Sequence, residues 1–159
     1  GEVTDRQAVS YNVLQEPVTQ ITVTGTKLKN GMVAKLGSGS FVWPVPGYKY
    51  VSRWMGNGHR GADICAAYGT PILASDSGTI IAAGWHYSYG NYVEIDHGNG
   101  YKTLYGHMSS IAVSQGQAVT QGQVIGYVGS TGNSTGNHCH FEMSYNGALF
   151  SAYTLFSGM

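Results

Sequence analysis

Charge is scarce in this sequence: Asp, Glu, Lys and Arg make up 10% of 159 residues, eight basic against eight acidic, for a formal net charge of zero. With no basic block there is no face suited to a polyanion, which sets nucleic acid aside as a partner. Long apolar runs are also lacking. The longest are a few residues, far short of a membrane span, and the start carries no charged segment followed by an apolar one. Because the chain begins at Gly1 and not at methionine, it reads as a fragment whose targeting segment has been removed or lies upstream. The two cysteines, Cys65 and Cys139, are too few for a disulfide framework. Strand parity puts Cys65 on the face of Asp63 and Cys139 on the face opposite His140, so two small buried hydrophobes are expected in preference to a bridge.

What the chain does have is glycine, 24 residues or about 15%, roughly twice the usual share, together with 12 tyrosines. That mixture favours strands and tight turns over helices. Residues 1–27 read as an N-terminal pair of alternating strands ending at Gly25-Thr26-Lys27, residues 28–40 as a Gly/Ser-rich, loosely packed linker, and residues 41–159 as the main domain. The closing Gly-Thr-Lys resembles the end of the small extracellular β-modules named for their five glycines; a simple hairpin docked on the main domain is the other reading. From Phe41 onward turn signals recur every eight to twelve residues with no helical period. The expected fold is therefore all-β, a compact antiparallel sandwich or half-open barrel with short turns and little helix. The Asn99-Gly100 pair marks one hairpin, between Tyr92–Asp96 and Tyr101–Tyr105.

Histidine carries the chemistry. In an extended strand alternate side chains share a face, so His138 and His140 point one way while Cys139 and Phe141 point the other. His59 and Asp63, an even separation apart and flanked by Gly58 and Gly61, share a strand face by the same rule. If the two strands are neighbours, an imidazole and a carboxylate from one meet an imidazole from the other. Nitrogen and oxygen donors with one position left open describe a catalytic zinc site. The polar loop Gly129–Gly136, which delivers the chain to His138, is placed to wall a substrate groove.

These residues fall into a pattern. Residues 41 to about 150 resemble the lysostaphin and LytM-type zinc endopeptidases, which cut peptide cross-links in bacterial cell walls. The motifs are His59-Arg60-Gly61-Ala62-Asp63, Tyr105-Gly106-His107-Met108 and His138-Cys139-His140-Phe141-Glu142. Tyr68-Gly69-Thr70-Pro71-Ile72 and Asp96-His97-Gly98-Asn99-Gly100-Tyr101 fit as well. Met108 stands where Leu is common and Ala62 where a larger aliphatic is common. The resemblance implies one zinc ion per chain, bound by His59, Asp63 and His140 with water as fourth ligand. It also implies that His107 and His138 stand beside the metal as proton-transfer and oxyanion-stabilising groups. His86 and His97 are read as structural or solvated.

The implied function is a secreted or wall-facing zinc metalloendopeptidase that acts as a monomer on stem or cross-bridge peptides of peptidoglycan. Relatives cut glycine bridges or links of D-alanine and diaminopimelate, and both stay open at this point. A silent peptidoglycan-binding or hydrolase-activating module is the alternative, which predicts a damaged ligand set; all five positions are intact. A biotinyl- or lipoyl-type carrier, suggested by the Gly-Gln hairpins between Val113 and Val128, would need a lysine at a hairpin tip. That stretch has none.

Overall fold

The computed structural model describes residues 36–158. The strands expected within residues 1–27, and residues 28–35 of the linker, lie outside the described residues. Within them the elements are β1 Tyr50–Arg53, β2 Ala62–Cys65, β3 Pro71–Leu73, β4 Gly78–His86, β5 Gly90–Asp96, β6 Tyr101–Ile111, β7 Ala118–Val119, β8 Val124–Val128, β9 His138–Tyr145, β10 Ala148–Phe150 and α1 Tyr153–Phe156. Hydrogen-bonded neighbours run β1-β2-β9-β6-β5-β4-β7, with β10 on β9 and β3 joined through β8 to β6. Every pairing is antiparallel, and β1 and β7 do not meet, so the sheet is not closed. This is the all-β antiparallel architecture expected from the turn spacing. The helix α1 was not expected, since a single turn leaves no period to read; it is held by Phe156, whose ring packs edge-on against Trp43 at 5.0 Å.

Strand β9 positions most of the site. Cys139, Phe141 and Met143 alternate into the apolar core with Ile64 and Tyr105, whereas His138, His140 and Glu142 face the other side. Burying a side chain the size of Phe141 or Ile64, both fully inaccessible, contributes about 1.5–3 kcal/mol each, so the register of β2 on β9 is strongly held. Cys65 and Cys139 are both free thiols, the reading that strand parity favoured.

His97 is structural and wholly buried. Its Nδ1 donates to the Ser77 carbonyl at 2.8 Å, because a carbonyl only accepts, so Nε2 must accept from the Thr103 hydroxyl at 2.9 Å. Thr103 in turn accepts from the Tyr105 hydroxyl at 2.6 Å, and Tyr105 accepts from the Ser75 amide at 3.0 Å. Every group in this relay finds a partner, and the burial that makes it necessary lowers the pKa of His97 and pushes the Tyr105 phenol up to about 12. In the turn before β6, Gly98 and Gly100 supply the positive φ angles, at 78° and 92°, and Asn99 does not. Asn99 instead accepts the Tyr101 amide through its side chain at 3.2 Å.

The described end of the expected linker is packed on this corner and is not loose there. Gly37 donates its amide to the His97 carbonyl at 2.7 Å, Gly39 to Asp76 Oδ2 at 2.9 Å, and Gln121 Nε2 reaches the Ser40 carbonyl at 2.5 Å. A Cβ on Gly37 would sit 2.6 Å from Asp76 Oδ2, too close to be accommodated without a shift. Deleting residues 1–35, which leaves these contacts in place, should give a soluble chain that binds metal and melts near the parent temperature, since the two strands expected from the sequence there would be too few for independent stability. Insolubility of that variant would make the deleted segment an integral part of the domain.

Candidate functional site

Register brings the predicted residues together. On the antiparallel β2–β9 pair Asp63 lies directly opposite His140 and Cys65 opposite His138. On the other side of β9, Gly106 of β6 faces His140. His59 arrives differently from the sequence expectation: β2 begins at Ala62, so pleat alternation does not place it. His59 instead closes a tight turn with Gly56, each amide bonding the other's carbonyl at 3.0 and 2.9 Å, with Asn57 and Gly58 at φ 50° and 83°. Between turn and strand, Gly61 presses on β9 so closely that a Cβ would fall 2.3 Å from the Phe141 carbonyl oxygen. Past this close approach His59 stands over Asp63, its Nε2 3.1 Å from Oδ2.

His107 sits at a break in β6. Tyr101 to Gly106 pair with β9, and from Met108 the strand pairs with β8. Between them His107 takes φ 61°, uncommon for a residue with a Cβ and of order 1 kcal/mol or more in cost, and gives its amide to the Tyr89 carbonyl at 2.6 Å. The bend aims the imidazole at the site, its ring centre 4.7 Å from that of His138 and 6.0 Å from that of His140.

The resulting set is compact. One donor atom each from His59, Asp63 and His140 lie within 4.8 Å of one another. His140 Nδ1 is 2.9 Å from Asp63 Oδ1, and His138 Nε2 is 3.6 Å from the same oxygen. His59 Nε2 lies 3.1 Å from Asp63 Oδ2 but is misaligned for a hydrogen bond, and among the described residues this buried nitrogen has no partner. A buried ring nitrogen without a hydrogen-bond partner, beside a carboxylate and a second imidazole, fits a cation. Burial would raise Asp63, but the hydrogen bond from His140 and the charges of the three surrounding imidazoles bring it below the usual carboxylate range. Burial lowers His59 and His107, keeping both as neutral bases. For His140 burial is outweighed by its two carboxylate partners, Asp63 and Glu142, and the net direction is up.

Both outer histidines have their tautomer set by the loop after β8. His107 Nδ1 donates to the Thr131 carbonyl at 2.7 Å, and His138 Nδ1 to the Gly136 carbonyl at 2.8 Å. Each is left with Nε2 as the nitrogen free to take a proton. The loop is pinned by backbone crossing backbone: a Cβ on Gly132 would lie 2.3 Å from the Gly90 amide nitrogen, and one on Gly90 would lie 2.4 Å from the Thr131 carbonyl carbon. Asn133, Ser134 and Thr135 of this loop line an open hollow of about 540 Å³ with the five histidine and aspartate residues. So do Tyr87 and Tyr89, which the sequence left unidentified among twelve tyrosines, and His86, whose Nδ1 accepts the Ser88 and Tyr89 amides and shapes their turn.

Sequence reasoning missed a further group. Glu142 Oε1 accepts from His140 Nε2 at 3.0 Å, the Tyr89 hydroxyl at 2.7 Å and Arg60 Nε at 3.1 Å. The alternation that pairs His138 with His140 extends to Glu142, so this one member was within reach of the same rule. Tyr89 and Arg60 carried no such signal.

Residues 57–151 match the model of Peptidase family M23. The chain is similar to the DD-carboxypeptidase/endopeptidase Mpg of Neisseria meningitidis serogroup B, 51% identical over 89 residues that make up 56% of this chain and 20% of that protein. It is 45% identical over 94 residues to the Peptidoglycan DD-endopeptidase ShyA of Vibrio cholerae serotype O1, 59% of this chain and 22% of that protein. The chain thus spans no more than 22% of the length of either. Among solved structures, a zinc containing peptidase from Vibrio cholerae superposes with a TM-score of 0.67 at 32% identity, covering 71% of this chain and 39% of that one.

Proposed function

The chain belongs to peptidase family M23, and from that premise we propose that it is a zinc endopeptidase that hydrolyses the D-alanine to diaminopimelate cross-links of bacterial peptidoglycan. What carries the reading is His59 Nε2, a buried nitrogen without a hydrogen-bond partner among the described residues, in a cluster whose ligand atoms from His59, Asp63 and His140 lie within 4.8 Å of one another. The choice of bond rests on the two relatives, both named for DD activity. Action as a monomer belongs to the same proposal. No helix among the described residues is long and apolar enough to cross a membrane, and the substrate places the work outside the cytoplasm.

In this reading His59, Asp63 and His140 hold the metal. A zinc ion there would supply Lewis acidity to water and to a scissile carbonyl, bringing the pKa of water toward 7. His107 and His138 do the proton work. Their Nδ1 hydrogens are committed to loop carbonyls, so Nε2 of each takes a proton as water attacks and returns it to the departing amine. Protonated, either ring stabilises negative charge developing on the carbonyl oxygen. Ser134, Thr135 and Tyr87 wall the hollow in which the peptide lies.

Digestion of purified walls tests this. Walls with D-alanine to diaminopimelate links should release peptides bearing a new free amine on diaminopimelate, and glycine-bridged walls none, with release abolished by a chelator and restored by zinc. New amino-terminal glycine would move the assignment to the bridge. No release from either wall with zinc bound would leave a silent binding or activating module.

A further inference from the structure

Outside the proposed ligand and proton-transfer roles, Glu142 is a charged side chain that bonds directly to one of the proposed ligands, His140. It lies two residues beyond His140 on the same face of β9, and its side chain is only 5% exposed. A carboxylate so buried is costly unless it is met by hydrogen bonds. Four meet it: from His140 Nε2 at 3.0 Å, the Tyr89 hydroxyl at 2.7 Å, Arg60 Nε at 3.1 Å and, to Oε2, Arg60 Nη2 at 3.4 Å. The Tyr89 ring also lies nearly parallel to the His140 ring, 26° apart with centres at 5.6 Å. His140 is thereby held at its Nε2 edge by Glu142 and over its face by Tyr89, while its Nδ1 edge faces Asp63 at 2.9 Å.

Resting on the zinc reading, we infer that Glu142, clamped by Tyr89 and Arg60, is a positioning residue that fixes the ring orientation and tautomer of His140 and so tunes its hold on the metal. An accepting carboxylate keeps the proton on Nε2, so that Nδ1, which otherwise donates to Asp63, is the nitrogen that releases its proton and turns its lone pair to the cation, and it makes the imidazole a stronger ligand. Tyr89 couples this clamp to the other half of the site, since its own backbone carbonyl receives the His107 amide at 2.6 Å. One residue thus braces both the proposed ligand and the bent strand that presents the proposed base. Arg60, with a side chain 59% exposed, closes the clamp from the solvent side and forms the partition between the site and a second hollow of about 360 Å³ lined by Glu94, Lys102 and Leu149.

The test is metal affinity, measured by competition with a chromophoric chelator, in Glu142→Gln and Tyr89→Phe. Glu142→Gln should bind zinc about 10- to 100-fold more weakly than the parent, the range for loss of an outer-sphere partner, and Tyr89→Phe should weaken it in the same direction by less. In zinc-loaded protein labelled with 15N-histidine, His140 should carry its proton on Nε2, with a downfield resonance that moves upfield in Glu142→Gln. A purely structural Glu142 would lower the melting temperature of the zinc-free protein and move neither readout. Should Glu142→Gln fail to fold, Tyr89→Phe, which removes one oxygen, carries the same test. Unchanged zinc affinity in the folded variant, or a proton on His140 Nδ1 of the loaded parent, overturns the inference. His140→Ala separates this from the underlying reading: if it loses zinc while Glu142→Gln does not, the clamp alone is wrong, and if it keeps zinc, the ligand set is.

Discussion

His140→Ala and Asp63→Asn should each collapse zinc content and activity together. Asparagine matches aspartate in size but lacks the charge that draws three imidazoles toward one point, so the fold around it has no steric reason to change. His140→Ala removes a nitrogen that lies 2.9 Å from that carboxylate and leaves two donors, too few for a stable tetrahedral site. The effect on stability follows from linkage. At a free zinc concentration about a thousand times the dissociation constant, binding adds about 4 kcal/mol to the parent, worth roughly 10 °C in melting temperature for a chain this size. Neither variant should show that zinc-dependent rise, and elemental analysis should find both nearly empty. Full zinc in His140→Ala would sink the ligand assignment.

His107→Ala and His138→Ala should do the reverse, keeping near-stoichiometric zinc while losing about a hundred- to ten-thousand-fold in turnover, the usual worth of general acid–base assistance. The pH dependence has a definite sign. A base works only when neutral, and burial lowers the pKa of His107 below its ordinary 6.5, so activity should hold through pH 6.5 and fall on the acid side of it. Loss of zinc from either variant would make that histidine a ligand. Normal turnover in both, with zinc retained, would remove histidine from the mechanism altogether.

Much of this molecule was legible from residue order. Strand alternation put His138 and His140 on one face and separated Cys65 from Cys139, because side-chain direction in a strand depends on nothing beyond parity. Turn residues at short intervals announced an antiparallel sheet. The parity rule erred at His59, which reaches Asp63 through a glycine turn and not through a pleat, whereas the hairpin signalled by Asn99-Gly100 is present, with Gly98 and Gly100 and not Asn99 carrying the positive φ angles. In both places the glycines were visible, but their effect depends on what the backbone is pressed against.

What the sequence by itself determined is the inventory and its pairing in short range: five candidate residues in three motifs, an all-β chain, and a zero net charge with no basic block to suit a polyanion. Tertiary structure alone decided how they meet. The β2–β9 register sets Asp63 against His140 across 77 positions of sequence. The switch of β6 from β9 to β8 turns His107 inward, and two crossing glycines, Gly90 and Gly132, hold the carbonyl that selects its tautomer. Arg60 and Tyr89 close on Glu142 from strands and turns 82 and 53 positions away. Such contacts are made by sheet register, and register is chosen by the whole set of buried side chains at once, so no window of neighbouring residues contains it.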